Sequence, residues 1–381
     1  MPGNSWARSL AGGVRDTASG DVLTGPGNTS GISGEAQFGI DSLKQNTTGV
    51  NGASSGTQAD TIPENGEYTA IASVSFTTSG YIGFSGRGTG IFAFDPVEMS
   101  VQWRINDTGN NSSTQPAIAN GVGYMPFSST DEVVAYDMET GNEQWSFGLD
   151  GRPTSALTYK NDVLYLGDDS NAAYAIDTDG NQVWKTSNGL NNRPRTAIAA
   201  TDSAIYIASD QGQVSRHDPS DGSVDWTFSD PSDVTNGAVF ANGTVYTTTR
   251  GGDGNLYAIN ADDGTEKWST QIGYQNAPPA YSDGLIYTHE SDTAVYALNE
   301  SDGSENWSDS SYSPKAFQYG STTVAADTLL VPGDKELVAH DKKDGSILWR
   351  FTNISDEPLT PTSVDGISIV NGLNTDTIQV E

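Results

Sequence analysis

Apolar and polar positions change over in short steps along this chain, and the short steps come in sets. Val163-Leu-Tyr-Leu166, Ile205-Tyr-Ile-Ala208, Val245-Tyr-Thr-Thr248 and Leu285-Ile-Tyr-Thr288 are β-branched and aromatic runs of strand length. A small-residue strand precedes such runs, as in Pro116-Ala-Ile-Ala119 and Pro278-Pro-Ala-Tyr281, with an Asn/Asp-Gly type turn between. A third strand ends in Ala-x-Asp, and a fourth carries a tryptophan. No part of the set shows a helical period, so each set predicts four antiparallel strands.

The sets repeat. From Trp103 the tryptophans Trp145, Trp184, Trp226, Trp268, Trp307 and Trp349 follow at steps of 42, 39, 42, 42, 39 and 42 residues. Ala135-Tyr-Asp137-Met-Glu-Thr-Gly141-Asn-Glu-Gln-Trp145 is the clearest copy of the linking element. Ala175, Ala258, Ala297 and Ala339 open the same frame, Arg216 replaces the Ala once, and Met99 replaces the Gly ahead of Trp103. The period matches that of propeller blades, and four-stranded sheets repeated about an axis make a β-propeller. In the element, the Asp side chain bonds the turn backbone and Gly supplies positive φ.

The two ends predict how the ring closes. Strands one to three of a further set follow Trp349, without a tryptophan, while Asn4-Ser-Trp6 is a tryptophan strand with nothing before it. Joined, they complete an eighth unit. The expectation is an all-β, eight-bladed β-propeller of four-stranded antiparallel blades. Residues 1–9 complete the last blade, 10–66 form a Gly/Ser/Thr/Asn-rich flexible insertion, and 67–381 carry the repeats. Seven blades, with Trp6 outside the ring, is the alternative.

Composition narrows the chemistry. The 381 residues hold 49 Asp plus Glu against 18 Lys plus Arg, a net charge of −31. Such a chain repels nucleic-acid phosphate, and its self-repulsion is relieved only where salt shortens the Debye length, which reads as adaptation to high salt. Without cysteine there is no disulfide, zinc-thiolate site or thiol nucleophile, and no apolar run reaches transmembrane length. Nine Asn-x-Ser/Thr sequons, among them Asn242, Asn299 and Asn306, lean toward an exported, glycosylated chain. The opening residues lack the charged and apolar regions of a signal peptide, and a cytoplasmic location stays open.

The Ala-x-Asp-x-x-Thr-Gly-x-x-x-Trp element resembles the tryptophan-docking motif of the PQQ-like β-propeller repeat family. The resemblance runs over residues 68–381, and the acidic composition is similar to that of halophilic archaeal versions. It implies the propeller fold and a docking role for Trp6, Trp103, Trp145, Trp184, Trp226, Trp268, Trp307 and Trp349. It leaves two functions open. Quinoprotein dehydrogenases of the family hold pyrroloquinoline quinone and calcium beside a vicinal cysteine pair and a tryptophan floor. This chain has no cysteine, and every tryptophan belongs to the repeat frame. The family's non-enzymatic propellers, similar to BamB, bind partner proteins. The expectation is therefore a monomeric, non-enzymatic scaffold without cofactor, binding a partner protein or acidic surface glycan. A quinone- and calcium-dependent dehydrogenase and an extracellular sensor module are the alternatives.

Candidate site residues follow from propeller topology. Loops joining strands two and three share a face with the loops between blades, at the channel mouth. Arg152, Arg193, Arg195 and Lys315 fall in inter-blade loops, and Arg87, Arg250 and Lys335 in strand two–three loops. Arginine forks suit carboxylate or phosphate, so these cations predict an anion-binding mouth; the alternative is that they neutralise neighbouring loop aspartates. Recurrent loop acids such as Asp131, Asp168, Asp210 and Asp292 read as turn chemistry, with Asp253 and Asn255 the calcium candidates. His217 and His340 occupy the x of Ala-x-Asp, where packing explains them. His289 sits at a strand end beside Glu290, with no nucleophile motif to join.

Overall fold

In the computed structural model the Trp145 repeat is one antiparallel sheet of Ala117–Ala119, Val122–Phe127, Glu132–Asp137 and Glu143–Gly148. The structure describes residues 114–230, 236–251, 254–275, 277–314 and 321–352. It also describes residues 47–48, 55, 58–62, 69–70, 75–76, 82–87, 90–95, 100–105, 354, 361–364, 367–371 and 377–380. Among them the strands form eight sheets, and there is no helix long and apolar enough to cross a membrane. The Trp184, Trp226, Trp268 and Trp307 repeats give sheets with the same strand order as the Trp145 repeat. The fold is a β-propeller.

One register runs through the repeats. Ala93 faces Trp103, Ala135 faces Trp145, Ala175 faces Trp184, Ala258 faces Trp268, Ala297 faces Trp307 and Ala339 faces Trp349. These alanines are buried, because a larger side chain opposite an indole would displace it. Arg216, opposite Trp226, is the exception. It turns its guanidinium outward to Asp225 and to the Ser203 carbonyl at 3.4 Å. Immediately after each of these positions the register shifts by a bulge, which bends the third strand into the Asp turn.

The turn is where neighbouring sheets lock. Trp103 Nε1 donates to the Met138 carbonyl at 2.8 Å, Trp145 to Thr178 at 2.8 Å and Trp184 to Pro219 at 2.8 Å. Trp226, Trp268 and Trp307 donate likewise to Ala261, Glu300 and Lys342. Each acceptor directly follows the Asp or Asn of the next repeat. Asp137 Oδ1 accepts from the Glu139 and Thr140 amides and the Thr140 hydroxyl, which fixes one such turn. Gly345, at φ 74°, lies so close to the Trp307 ring that a Cβ would come within 2.5 Å of it, so backbone angle and space both demand glycine. Trp6 lies outside the described residues.

The core consists of layers between adjacent sheets. Leu157, Tyr159, Leu164 and Tyr174 of the Trp184 sheet pack on Ala117, Tyr124, Val133 and Ala135 of the Trp145 sheet. A strand-two tyrosine meets the strand-four tryptophan of its own sheet in Tyr124–Trp145, Tyr165–Trp184, Tyr246–Trp268 and Tyr287–Trp307, with ring centroids 5.8–6.1 Å apart and tilted.

The chain ends differ in detail from the sequence expectation. In the C-terminal sheet Thr362–Val364, Ile367–Asn371 and Thr377–Val380 follow in order, and the fourth position is taken by Gln58–Ile62, antiparallel to Thr377–Val380. Thr47–Thr48 pairs in parallel with Thr323–Ala325 of the Trp349 sheet. Both segments belong to the region read as a flexible insertion. Residues 1–9, expected to fill the fourth position, lie outside the described residues.

Candidate binding face

Within each sheet the strand two–three hairpin and the loop leading into strand one share one end. The loop leading into the Trp184 sheet carries Arg152, and that leading into the Trp226 sheet carries Arg193. Their surroundings share two bonds and differ in a third, since the Arg152 amide donates to Asp169 Oδ1 and the Arg193 amide to Asn192 Oδ1. Arg152 Nε donates to Asp169 Oδ2 at 2.8 Å and Arg193 Nε to Asp210 Oδ2 at 2.7 Å. The Asp169 amide donates to the Arg152 carbonyl at 2.9 Å and the Asp210 amide to the Arg193 carbonyl at 3.0 Å. The two loops touch, since Thr154 Oγ1 donates to the Pro194 carbonyl at 2.7 Å. Each arginine is thus anchored through Nε by a hairpin aspartate, as the charge-neutralising alternative expects. The Nη nitrogens of both make no hydrogen bond among the described residues.

The other predicted cations are less uniform. Arg195 lies inside the strand Pro194–Ala200, not in a loop, because that first strand is extended across an irregular register between Pro194 and Ile198. Arg87 ends the strand Ile82–Arg87. Arg250 follows Thr249 in a strand two–three connection, and Lys335 stands exposed in another at φ 59°. Lys315 lies outside the described residues.

The loop acids form turns. Asp131 and Asp292 adopt positive φ. The fully buried Asp168 carboxylate accepts from the Ser170 amide and hydroxyl, the Ala172 amide and the Tyr174 hydroxyl. Its oxygens are spent on the hairpin. Of the calcium candidates, Asn255 opens a strand with its amide side chain 3.3 Å from the Tyr257 hydroxyl, and Asp253 lies outside the described residues. No group of three or more His, Asp or Glu side chains suited to a metal occurs among the described residues.

All three histidines are buried and held neutral. Nδ1 of His217 and of His340 meets the Gly222 and Gly345 carbonyls at 3.1 and 2.9 Å, while their Nε2 atoms meet Ser215 Oγ and the Tyr312 hydroxyl. Burial lowers both pKa values. His289 Nε2 has no hydrogen-bond partner, and burial lowers that imidazole to about 4. The unfolded chain therefore binds more protons below the ordinary value near 6.5, so stability is full above it and is lost as pH falls. For His289 the loss reaches about 2 kcal/mol by pH 5. Replacing His289 with Thr, the residue at the matching position 248, is expected to remove about that much of the change in unfolding free energy between pH 7 and 5, read from urea melts. An equal slope in both proteins would contradict it.

These observations have a counterpart in known proteins. No curated protein matches the chain in sequence. The family model described as outer membrane protein assembly factor BamB matches residues 87–233 and 210–360, well over half of the chain. The chain belongs to this family. BamB from Moraxella catarrhalis is similar in structure at a TM-score of 0.66 and 14% identity, over 85% of this chain and 99% of that one. Quinohemoprotein alcohol dehydrogenase ADHIIG from Pseudomonas putida HK5 gives 0.72 at 11% identity, over 91% and 79%. A europium-containing methanol dehydrogenase gives 0.70 at 12%, over 89% and 90%. At such identities the likeness is one of fold.

Two of these neighbours are named as a quinohemoprotein and a europium-containing enzyme, and the described residues can be held against such groups. A stacking floor needs an indole face, but the tryptophans from Trp103 to Trp307 are each committed to the next sheet's turn. The chain has no cysteine, and no group of three or more metal-ligating side chains occurs among the described residues.

Proposed function

We propose that this BamB-family chain is a non-enzymatic, eight-bladed propeller scaffold that captures an anionic group of a partner protein or acidic surface glycan at the channel mouth. The observation that carries the reading is the matched pair of Arg152 and Arg193. Each guanidinium is fixed through Nε by an aspartate, and its Nη edge is left to bond a carboxylate or phosphate in two-pronged fashion. Pre-positioning by the aspartates lowers the ordering cost of binding. Ring closure belongs to the same reading, with an N-terminal strand held on the C-terminal sheet. So do a monomeric state and an extracellular or cell-surface location in high salt, of the halophilic archaeal type.

The Arg152→Ala, Arg193→Ala double variant tests this. Capture of the partner in pull-downs at high salt is expected to fall about tenfold or more, with tryptophan fluorescence unchanged. Capture by the double variant at the wild-type level overturns the reading.

A further inference from the structure

The opposite face carries a second site. There the strand one–two hairpins and the Asp-turns of neighbouring sheets meet, and at the seam between the Trp268 and Trp307 sheets they leave a groove of about 460 Å³. Asn242 and Thr244 come from the first hairpin of one sheet, and Lys267 from its outer strand. Asn299, Glu300 and Ser301 come from the turn of the next. Every lining residue is polar or glycine.

A rigid network sets the walls. The Glu300 carbonyl accepts from Trp268 Nε1 at 2.9 Å, which pins the turn. Glu300 Oε2 accepts from the Tyr281 hydroxyl at 2.8 Å and the Asn242 amide at 3.4 Å, and the same amide lies 2.6 Å from the Tyr281 oxygen. Burial, with Glu300 alongside, raises the Tyr281 pKa and keeps its proton in place as a donor. Glu300 Oε1 and Asn242 Oδ1 make no hydrogen bond among the described residues, and the Glu300 carboxylate also lies close enough to the buried Tyr246 hydroxyl to help raise its pKa. Across the groove Lys267 Nζ rests on Thr244 Oγ1 at 2.7 Å and near the Gly243 carbonyl. In this strongly acidic chain most described cations stand in ion pairs with carboxylates, as Lys160, Lys185 and Lys342 do. Lys267 stands in none.

An ammonium outside any ion pair, in a groove also lined by the Glu300 carboxylate and the Asn242 amide, suits a ligand with one carboxylate and several hydroxyl donors. We infer that this groove binds a carboxylated sugar unit of the uronic acid class. Its carboxylate would sit on Lys267, and its vicinal hydroxyls would donate to Glu300 Oε1 and Asn242 Oδ1. A peptide fits less well, because it brings fewer hydroxyl donors per length to a groove lined by polar residues.

The protein is produced without N-glycosylation, since Asn242 and Asn299 of the groove are sequon residues, and the probes are sodium glucuronate, neutral methyl glucoside and triglycine, followed by ligand-observed NMR at the lowest KCl that keeps the fold intact. Lys267→Gln and Glu300→Gln are the variants. Gln144 fills the position matching Lys267 in the Trp145 sheet, so the first substitution suits the fold. Glucuronate is expected to bind saturably, methyl glucoside more weakly, and triglycine not at all. Lys267→Gln should weaken glucuronate about fivefold and leave methyl glucoside unchanged, whereas Glu300→Gln should weaken both. The Lys267→Gln comparison is made in the Arg152, Arg193 double variant as well, where glucuronate binding that remains and still depends on Lys267 separates this site from the channel mouth. Absence of saturable glucuronate binding, indifference to Lys267→Gln, or tighter binding of triglycine each overturns the inference.

Discussion

Trp307→Ala is expected to destabilise the propeller by about 3–5 kcal/mol, the range for removing a large buried aromatic. The indole is buried, stacks on His340 at 5.9 Å and 21°, and donates to the Lys342 carbonyl at 3.0 Å. It fills the seam between two sheets, so its loss opens a cavity that neither rigid sheet can collapse into. The Lys342 carbonyl still accepts from the Tyr287 hydroxyl at 3.1 Å, so the cost is mainly packing. Gly345 makes the idea sharper. In the wild type, Gly345→Ala forces a methyl against the Trp307 ring and also strains a positive φ. In the Trp307→Ala background the clash is gone and only the backbone strain, about 1–2 kcal/mol, remains. The two substitutions should therefore couple by at least about 1 kcal/mol in a double-mutant cycle from urea midpoints at fixed molar KCl. Simple additivity would show that the glycine is not kept for the indole.

The repeat was legible because one physical device writes several letters at once. A docking indole needs a small residue opposite it, a turn that offers a carbonyl, and a glycine under the ring, so Ala135, Asp137, Gly141 and Trp145 recur as a unit. The ends were less legible. Gln58–Ile62 has no tryptophan and no turn element to mark it, and an open sheet edge accepts any segment able to extend. Loop positions on the candidate face were read from topology, and Arg195 was misplaced because a first strand can begin earlier without changing the repeat frame. The groove beside Lys267 left no trace in the sequence. Its walls come from hairpins and turns of two sheets, and only the docked Trp268 brings Glu300 within reach of Asn242.

The second large effect is salt. Unfolding temperature is expected to rise on the order of 10 °C or more between about 0.1 M and molar KCl, where the Debye length falls from ~10 Å to ~3 Å. Even if all 18 Lys and Arg each neutralised one acid, 49 − 18 = 31 carboxylates would stay uncompensated. The described ones concentrate in turns. Asp218, Asp263, Asp302 and Asp344 each accept a serine or threonine hydroxyl and amide, which lowers their pKa values and keeps them ionised. Folding brings these charges together on one folded molecule, whereas the unfolded chain spreads them, so repulsion acts mostly against the native state. Screening removes that penalty without touching the indole docking or the inter-sheet layers. KCl rather than sulfate is the informative salt, because sulfate also strengthens apolar burial. A melting temperature that stays level across the KCl series would mean the acids are solvated well enough to cost nothing, and the reading of the composition as a salt adaptation would fall.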